Sequence, residues 1–174
     1  DENSNLVAFM DPAYGTGSAN ACIVMMDTNL REVVATYVDP TCPPYNLSRE
    51  IVHAARSWAR GRSDMLIGWE VNGPGSSMHH DFERLRWYNV FHHKRLGQRV
   101  ETRTKRGGWT STRVTKRVLF SDLARALADD TVVCPDEEII DELDSTVVYK
   151  DGSLGPARLE VDASSGAREA HGDR

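Results

Sequence analysis

Residues 7–27 read VAFMDPAYGTGSANACIVMMD and decide which kind of fold the chain can adopt. Two short apolar runs, at 5–10 and 21–26, flank a loop rich in small residues. Both runs have the length and composition of β-strands, and REVVATYVD at 31–39 alternates well enough to form a third. The links between them are too short for a crossover helix, so the sequence predicts an antiparallel three-strand meander.

The next part of the chain predicts a helix followed by a fourth strand. Residues 47–60 carry apolar side chains at helical spacing, with Asn46 or Ser48 available as the N-cap, and MLIGWE at 65–70 is again a strand. Because a long helix between strands is a crossover, this strand should join the sheet in parallel. The pattern predicts an α/β fold, a mixed sheet with a leading antiparallel three-strand meander and flanking helices.

Further helices are predicted downstream. One follows Pro74 and should bury Met78, Phe82 and Leu85, and residues 98–112 should form a polar hairpin or extended loop that turns near Gly107-Gly108. A helix over roughly 115–129 should present one apolar stripe made of Leu119, Leu123, Ala126 and Leu127. The remaining expected elements are a short strand at 131–134, an acidic helix or turn at 136–143 and a strand at 145–150.

Bulk composition predicts one compact domain over residues 1–174. The chain is 40% hydrophobic and 27% charged, as is usual for a globular protein. No apolar run approaches the roughly 20 residues that span a bilayer, and the N-terminus lacks the basic start of a signal peptide, so we expect a cytoplasmic protein that is not secreted. The three cysteines are too widely spaced to predict a disulfide framework or a zinc site.

The net charge of −5 conceals a basic block in the middle of the chain. Residues 84–117 hold 11 basic side chains and 1 acidic side chain, whereas the segments before and after are acidic. Such a block is either a solvated face or a surface for a polyanion, and charge alone leaves both readings open.

The glycine-containing loop does not predict a nucleotide site. A phosphate-binding loop needs a helix N-terminus directly after its glycines, because the helix end supplies free N–H groups. Here a strand follows, and neither the third glycine of a dinucleotide fingerprint nor a Gly-Lys-Ser/Thr sequence is present. We interpret the loop as the bend that follows Asp11.

Two acidic residues end predicted strands in the same way. Asp11 precedes Pro12, which stops the strand ladder, and Glu70 ends an apolar strand before a Gly/Pro loop. Each acid alone is also explained as a turn former or a solvated edge carboxylate. At the ends of neighbouring strands the two would lie close enough to share one cation, and a third acid would complete the oxygen cage.

Four segments together resemble a known family. They are residues 7–27, WEVNGPG at 69–75, GGWTSTRVTKRVLFSDLARAL at 107–127 and REAHGDR at 168–174. This combination resembles the C-terminal nuclease domain of the large terminase subunit of tailed bacteriophages. The resemblance implies a ribonuclease H-like fold and an endonuclease that cuts concatemeric double-stranded DNA during genome packaging.

The resemblance also implies which residues hold metal and DNA. Asp11, Glu70 and Asp173 correspond to the three catalytic acids, which would bind two Mg²⁺ or Mn²⁺ ions, and Asp162 is the alternative third acid. Asp11 would bridge the two ions, while Glu70 and Asp173 would hold one each. The residues expected to face the DNA backbone are Arg103, Lys105, Arg106, Arg113, Lys116 and Arg117.

By the same resemblance, the complete subunit would carry an N-terminal ATPase domain, which this chain lacks. The subunit would work with a portal protein and a small terminase subunit in the infected bacterium. Two other functions remain open at this point. One is a junction resolvase or transposase-type nuclease of the same fold, and the other is a noncatalytic DNA-binding assembly module whose acids only cap loops.

Overall fold

The computed structural model describes residues 5–58, 65–93, 107–149 and 153–157. Four strands form its larger sheet: β1 (Leu6–Asp11), β2 (Ala21–Asp27), β3 (Glu32–Asp39) and β4 (Leu66–Trp69). Their order is β3-β2-β1-β4, with β1 antiparallel to β2, β2 antiparallel to β3, and β4 parallel to β1. The predicted mixed sheet with a leading meander is confirmed.

The described helices follow the predicted order along the chain. They are α1 (Pro44–Trp58), α2 (Met78–Arg84, preceded by a 3₁₀ turn at Gly73–Ser77), α3 (Arg113–Ala128) and α4 (Glu137–Asp144). Two short antiparallel strands complete the described structure, β5 (Thr146–Val148) and β6 (Leu154–Pro156). None of the described helices is long and apolar enough to span a bilayer.

The N-terminus of α1 differs from the prediction. The helix begins at Pro44, since the fixed φ of proline suits the first helical position and its missing N–H loses no partner there. Asn46 and Ser48, the predicted caps, both lie inside the helix. The buried hydroxyl of Ser48 donates to the carbonyl oxygen of Pro44 at 3.0 Å. Residues 59 and 60 of the predicted helix lie outside the described ranges.

The hydrophobic core lies on one face of the larger sheet, under α1 and α2. Alternate strand residues point into it, as a period of two requires: Ala8, Met10, Ile23, Met25, Ile67 and Trp69. From α2, the predicted Met78 and Phe82 are buried, and the rings of Trp69 and Phe82 lie 4.9 Å apart. Phe9 and Asp11, which alternate with the core residues of β1, therefore belong to the opposite face of the sheet.

The helix α3 leads from one edge of the sheet to the other. Before it, Trp109 bridges Glu70 at the end of β4, and after it, Val133 bridges Glu32 of β3. The helix has 16 residues, which corresponds to about 24 Å. That length exceeds the width of four strands spaced about 4.8 Å apart. The predicted strand at 131–134 is reduced to the single bridge at Val133.

The predicted apolar stripe of α3 is confirmed in its second half. Leu123, Ala126 and Leu127 are half-buried, whereas Leu119 is 52% exposed. Phe120, Leu123 and Leu127 line a groove of about 460 Å³ that α3 shares with α4, β5 and β6. Periodicity alone did not show whether Leu119 or its neighbour Phe120 packs, because both side chains are apolar.

Candidate active site

Asp11 and Glu70 occupy neighbouring positions at the carboxyl ends of β1 and β4. The parallel register pairs Met10 with Trp69, and the backbone nitrogen of Glu70 donates to the carbonyl oxygen of Met10 at 3.1 Å. The next residue on each strand is an acid, and the alternation of side chains directs both acids to the face opposite α1. Backbones of neighbouring strands lie about 4.8 Å apart. Asp11 is exposed and Glu70 is half-buried.

The loop after Asp11 leaves the sheet at Pro12, which is buried. A Cβ on Gly15 would overlap the backbone of residues 41–43, so this glycine permits close packing against the start of α1. The N–H of Gly17 donates to the carbonyl oxygen of Pro40 at 2.9 Å. The strand β2 then follows the loop in sequence, as predicted.

Gly75, in the loop after Glu70, packs against Pro12 in the loop after Asp11. A Cβ on Gly75 would overlap the carbonyl oxygen of Glu70 and lie 3.0 Å from Cγ of Pro12. The carbonyl oxygen of Gly75 also accepts a hydrogen bond from Nε1 of Trp69 at 3.1 Å. The 3₁₀ turn therefore packs directly against both acid-bearing strand ends, and only glycine fits at this contact.

The predicted third acid, Asp173, and its alternative, Asp162, both lie outside the described residues. Within the described ranges, no group of three or more His, Cys, Asp and Glu side chains could hold a metal ion. Mg²⁺ is commonly held by one or two carboxylates together with waters and substrate phosphates. Asp11 and Glu70 supply, from adjacent strand ends, the carboxylate oxygens that such an ion prefers, and the metal-binding roles of Asp11, Glu70 and Asp173 stay predictions.

Asp39 ends β3 at the same end of the sheet as Asp11 and Glu70 but has a different role. Its carboxylate accepts hydrogen bonds from the N–H and the hydroxyl of Thr41, both at 2.7 Å, and from the hydroxyl of Tyr37 at 3.1 Å. The bonds from Thr41 lower the pKa of Asp39 from its usual value. Asp39 and Tyr37 are two residues apart on β3 and therefore share the face that α1 covers. There Asp39 stabilises the turn that leads into α1.

Residues 107–112, the connector, lie beside the end of β4 and lead into α3. All six consecutive backbone N–H groups of this connector donate hydrogen bonds. Their acceptors, in order from Gly107 to Thr112, are His79 Nδ1, Phe91 O, Trp69 O, His93 Nδ1, Asn72 Oδ1 and Thr115 Oγ1. With every donor satisfied, the connector has a defined path along the edge of the sheet.

The glycine pair of the connector lies against β4 and its neighbours. Gly108 bridges His92 and has a φ of 100°, and a Cβ there would overlap the side chains of Val71 and Trp69. The pair thus allows the connector to approach β4 closely. Residues 98–106 of the predicted hairpin lie outside the described ranges. The connector's Trp109 packs edge-on against Phe9, with the ring centroids 6.3 Å apart.

Three of the six predicted DNA-facing residues lie on the first two turns of α3. Arg113, Lys116 and Arg117 are all exposed, and at 3.6 residues per turn they fall within an arc of about 100°. Thr112 caps the helix, since its hydroxyl accepts from the N–H of Thr115 at 3.1 Å. Arg103, Lys105 and Arg106 lie outside the described residues, so their position relative to this arc stays a prediction.

Some residues that organise the site carried no sequence signal for that role. Asn72, His79 and His93 supply side-chain acceptors to the connector, and Gly75 provides the contact between the two acid-bearing loops. The adjacent histidines at 79–80 and 92–93 contain two of these acceptors. For Asn72, the local signal is its position after a strand and before a Gly/Pro loop.

The order and directions of the strands, with helices packed on the sheet, define a ribonuclease H-like fold. Among solved structures, the chain resembles the large terminase nuclease from thermophilic phage G20c. The form with bound cobalt superposes with a TM-score of 0.60 at 11% identity, over 88% of this chain and 71% of that chain. For the form with bound magnesium the values are 0.58 and 13%, over 97% and 76%.

The Thermus phage P74-26 large terminase nuclease domain is also similar. Its TM-score is 0.55 at 12% identity, over 89% of this chain and 74% of that chain. No protein-family model matches the sequence. The search of curated proteins likewise gave no match. At such low identity the solved structures show a shared fold, and the resemblance that the motifs predicted is confirmed at that level.

Proposed function

We propose that this chain is a divalent-metal-dependent endonuclease that cuts concatemeric double-stranded viral DNA during genome packaging. The observation that carries the proposal is the juxtaposition of Asp11 and Glu70 on one face of the sheet, at the ends of two parallel strands. The shared fold supports it, because two of the similar terminase nuclease structures contain cobalt or magnesium.

The role of the chain in this reaction is to place carboxylates. Asp11 would lie between two Mg²⁺ or Mn²⁺ ions, Glu70 would hold one of them, and Asp173 would hold the other. Cations bound in this way lower the pKa of an attacking water and stabilise the attacking and leaving oxygens of an in-line displacement at phosphorus. The reaction therefore requires no side-chain nucleophile.

The basic start of α3 would hold the DNA. Arg113, Lys116 and Arg117 would contact phosphates, which favours binding through counterion release and reads no base sequence. Arg103, Lys105 and Arg106 would extend the same surface. Contacts of this kind suit an enzyme that cuts after a filled length of DNA and not at a fixed sequence.

The resemblance also suggests the setting of the activity. The chain would be the nuclease domain of a subunit that also contains an ATPase domain. That subunit would act with a portal protein and a small terminase subunit in the cytoplasm of the infected bacterium.

A plasmid assay tests the proposal. Supercoiled plasmid incubated with the protein and MnCl₂ should give nicked and then linear DNA, and Asp11→Ala or Glu70→Ala should abolish both products. Glu50→Ala is the matched control, because Glu50 is an exposed acid on α1, at the opposite face of the sheet. Cutting that survives either active-site substitution would refute the assigned site.

The same assay separates the alternatives. A strong preference for four-way junctions over linear duplex would indicate a resolvase of the same fold. Binding of DNA without cutting in any divalent metal would indicate a noncatalytic assembly module.

A further inference from the structure

The side-chain amide of Asn72 makes two hydrogen bonds to the backbone of a single connector residue. Its Oδ1 accepts from the N–H of Ser111 at 2.8 Å, and its Nδ2 donates to the carbonyl oxygen of Ser111 at 3.0 Å. The two residues are 39 positions apart in sequence. Because both partner atoms belong to the backbone, the contact does not depend on the side chain of Ser111.

This amide continues a strand ladder that the backbone of β4 begins. The N–H of Trp109 donates to the carbonyl oxygen of Trp69 at 2.8 Å, and the N–H of Val71 donates to the carbonyl oxygen of Trp109 at 2.9 Å. After Val71 the chain turns into the 3₁₀ segment that starts at Gly73. A carboxamide presents a carbonyl acceptor beside an N–H donor, like a peptide group, so Asn72 supplies the rung that a further strand residue would have made.

The rung lies between the two halves of the candidate site. On one side of the ladder, Asn72 follows Glu70 by two residues. On the other side, Arg113 follows Ser111 by two residues, and α3 begins at Arg113. The rung is therefore placed where it can set the position of the first turn of α3 relative to the end of β4.

We propose that Asn72 is a positioning residue that fixes the basic first turn of α3 relative to the carboxylate of Glu70. The proposal rests on the proposed function, since it concerns how DNA held by α3 is aligned with the metal-binding acids. Reacting groups displaced by about 1 Å can lose on the order of 100-fold in rate. The contact is therefore expected to affect the cutting step more than the binding of DNA.

The experiment compares Asn72→Ala with Ser111→Ala in the full chain. Asn72→Ala removes both hydrogen bonds, whereas Ser111→Ala retains both and serves as the matched control. With protein in excess over plasmid and MnCl₂ present, we expect Asn72→Ala to reduce the single-turnover cutting rate by about 10- to 100-fold. Its dissociation constant for duplex DNA, measured without divalent metal, should equal that of the unsubstituted protein, and the Ser111 amide should exchange hydrogen faster.

A second variant refines the test. Asn72→Asp keeps the acceptor for the Ser111 N–H but places a carboxylate oxygen against the Ser111 carbonyl oxygen, so its cutting rate should also fall while its affinity for duplex DNA without divalent metal stays within about twofold. A merely structural role for Asn72 would instead lower DNA binding and cutting together, in proportion to the folded fraction.

The two proposals fail in different ways. Unchanged cutting by Asn72→Ala, equal losses in binding and cutting, or unchanged exchange of the Ser111 amide would each overturn the positioning role. Absence of cutting by the unsubstituted protein would count against the proposed function, and the exchange measurement would then still test the link between Asn72 and the connector.

Discussion

Glu70 donates its backbone N–H to the carbonyl oxygen of Met10 at 3.1 Å, which sets the register between the ends of two parallel strands. The same register places Asp11 next to Glu70 on the face of the sheet that α1 does not cover. Acids that are distant in sequence thus become neighbours through the crossover formed by α1. The predictions below follow from this arrangement and from the elements that hold it.

Metal should stabilise the folded protein through Asp11 and Glu70. A cation that binds only the native state at 100 times its Kd adds about 2.7 kcal/mol, and each kcal/mol raises Tm by about 2–4 °C in a domain of this size. We expect MnCl₂ to raise Tm in differential scanning fluorimetry, and the increase should disappear in the Asp11→Asn, Glu70→Gln double variant. An equal increase in both proteins would place the binding elsewhere.

Gly75→Ala should disturb both acid-bearing loops. The added methyl group would overlap the carbonyl oxygen of Glu70 and press on Pro12, and overpacking of this kind costs about 1–3 kcal/mol. We expect lower stability in urea unfolding and loss of plasmid cutting under conditions where the variant remains folded. Ser76→Ala, at the exposed neighbouring position, is the control and should behave like the unsubstituted protein. Full cutting by Gly75→Ala would show that this contact does not set the site.

The basic arc of α3 should be visible in the salt dependence of DNA binding. Each phosphate contact contributes a slope of about −0.9 to the plot of log K against log salt. The triple variant Arg113→Gln, Lys116→Gln, Arg117→Gln is therefore expected to bind duplex DNA more weakly and to reduce the slope by up to about 2.7. Arg125→Gln is the control, because Arg125 pairs with Asp122 near the other end of α3. An unchanged slope in the triple variant would exclude α3 as the DNA contact.

Asp81 should destabilise the folded protein at neutral pH. It is only 6% exposed, and burial raises its pKa, opposed in part by Arg84 and His80. Because the pKa is higher in the folded state, protonation favours folding, and this contribution is lost as pH rises above the unfolded value of about 3.9. Asp81→Asn should therefore raise Tm at pH 7 and have little effect near pH 3. A lower Tm at pH 7 would mean that the ionised carboxylate has a stabilising partner.

Much of the sheet and the placement of its acids could be predicted because the signals are local. The strands β1 and β2 are short apolar runs, Pro12 marks the end of β1, and Glu70 ends an apolar strand after a crossover helix. Each feature depends on residues adjacent in sequence. The parallel direction of β4 follows from the crossover helix, whereas the register that pairs Met10 with Trp69 is set by the fold.

The path of the connector and the packing of Phe120 in place of Leu119 could not be predicted because they depend on distant contacts. The sequence gives no sign that Gly107-Gly108 lies against the ring of Trp69, and only the fold brings them together. The contact between Asn72 and Ser111 joins backbone and side chain across 39 positions, so no spacing rule reveals it. Similarly, α3 has apolar residues on more than one side, and its packing against α4 and β6 decides which side is covered.

The most direct test of the account is the position of Mn²⁺ in crystals of this protein, located by its anomalous scattering. We predict at least one ion with a carboxylate oxygen from Asp11 and one from Glu70 in its coordination shell, at about 2.1 Å, the distance that is typical of oxygen ligands to Mg²⁺. Full-occupancy Mn²⁺ bound elsewhere, with both carboxylates directed away from any ion, would contradict the central claim.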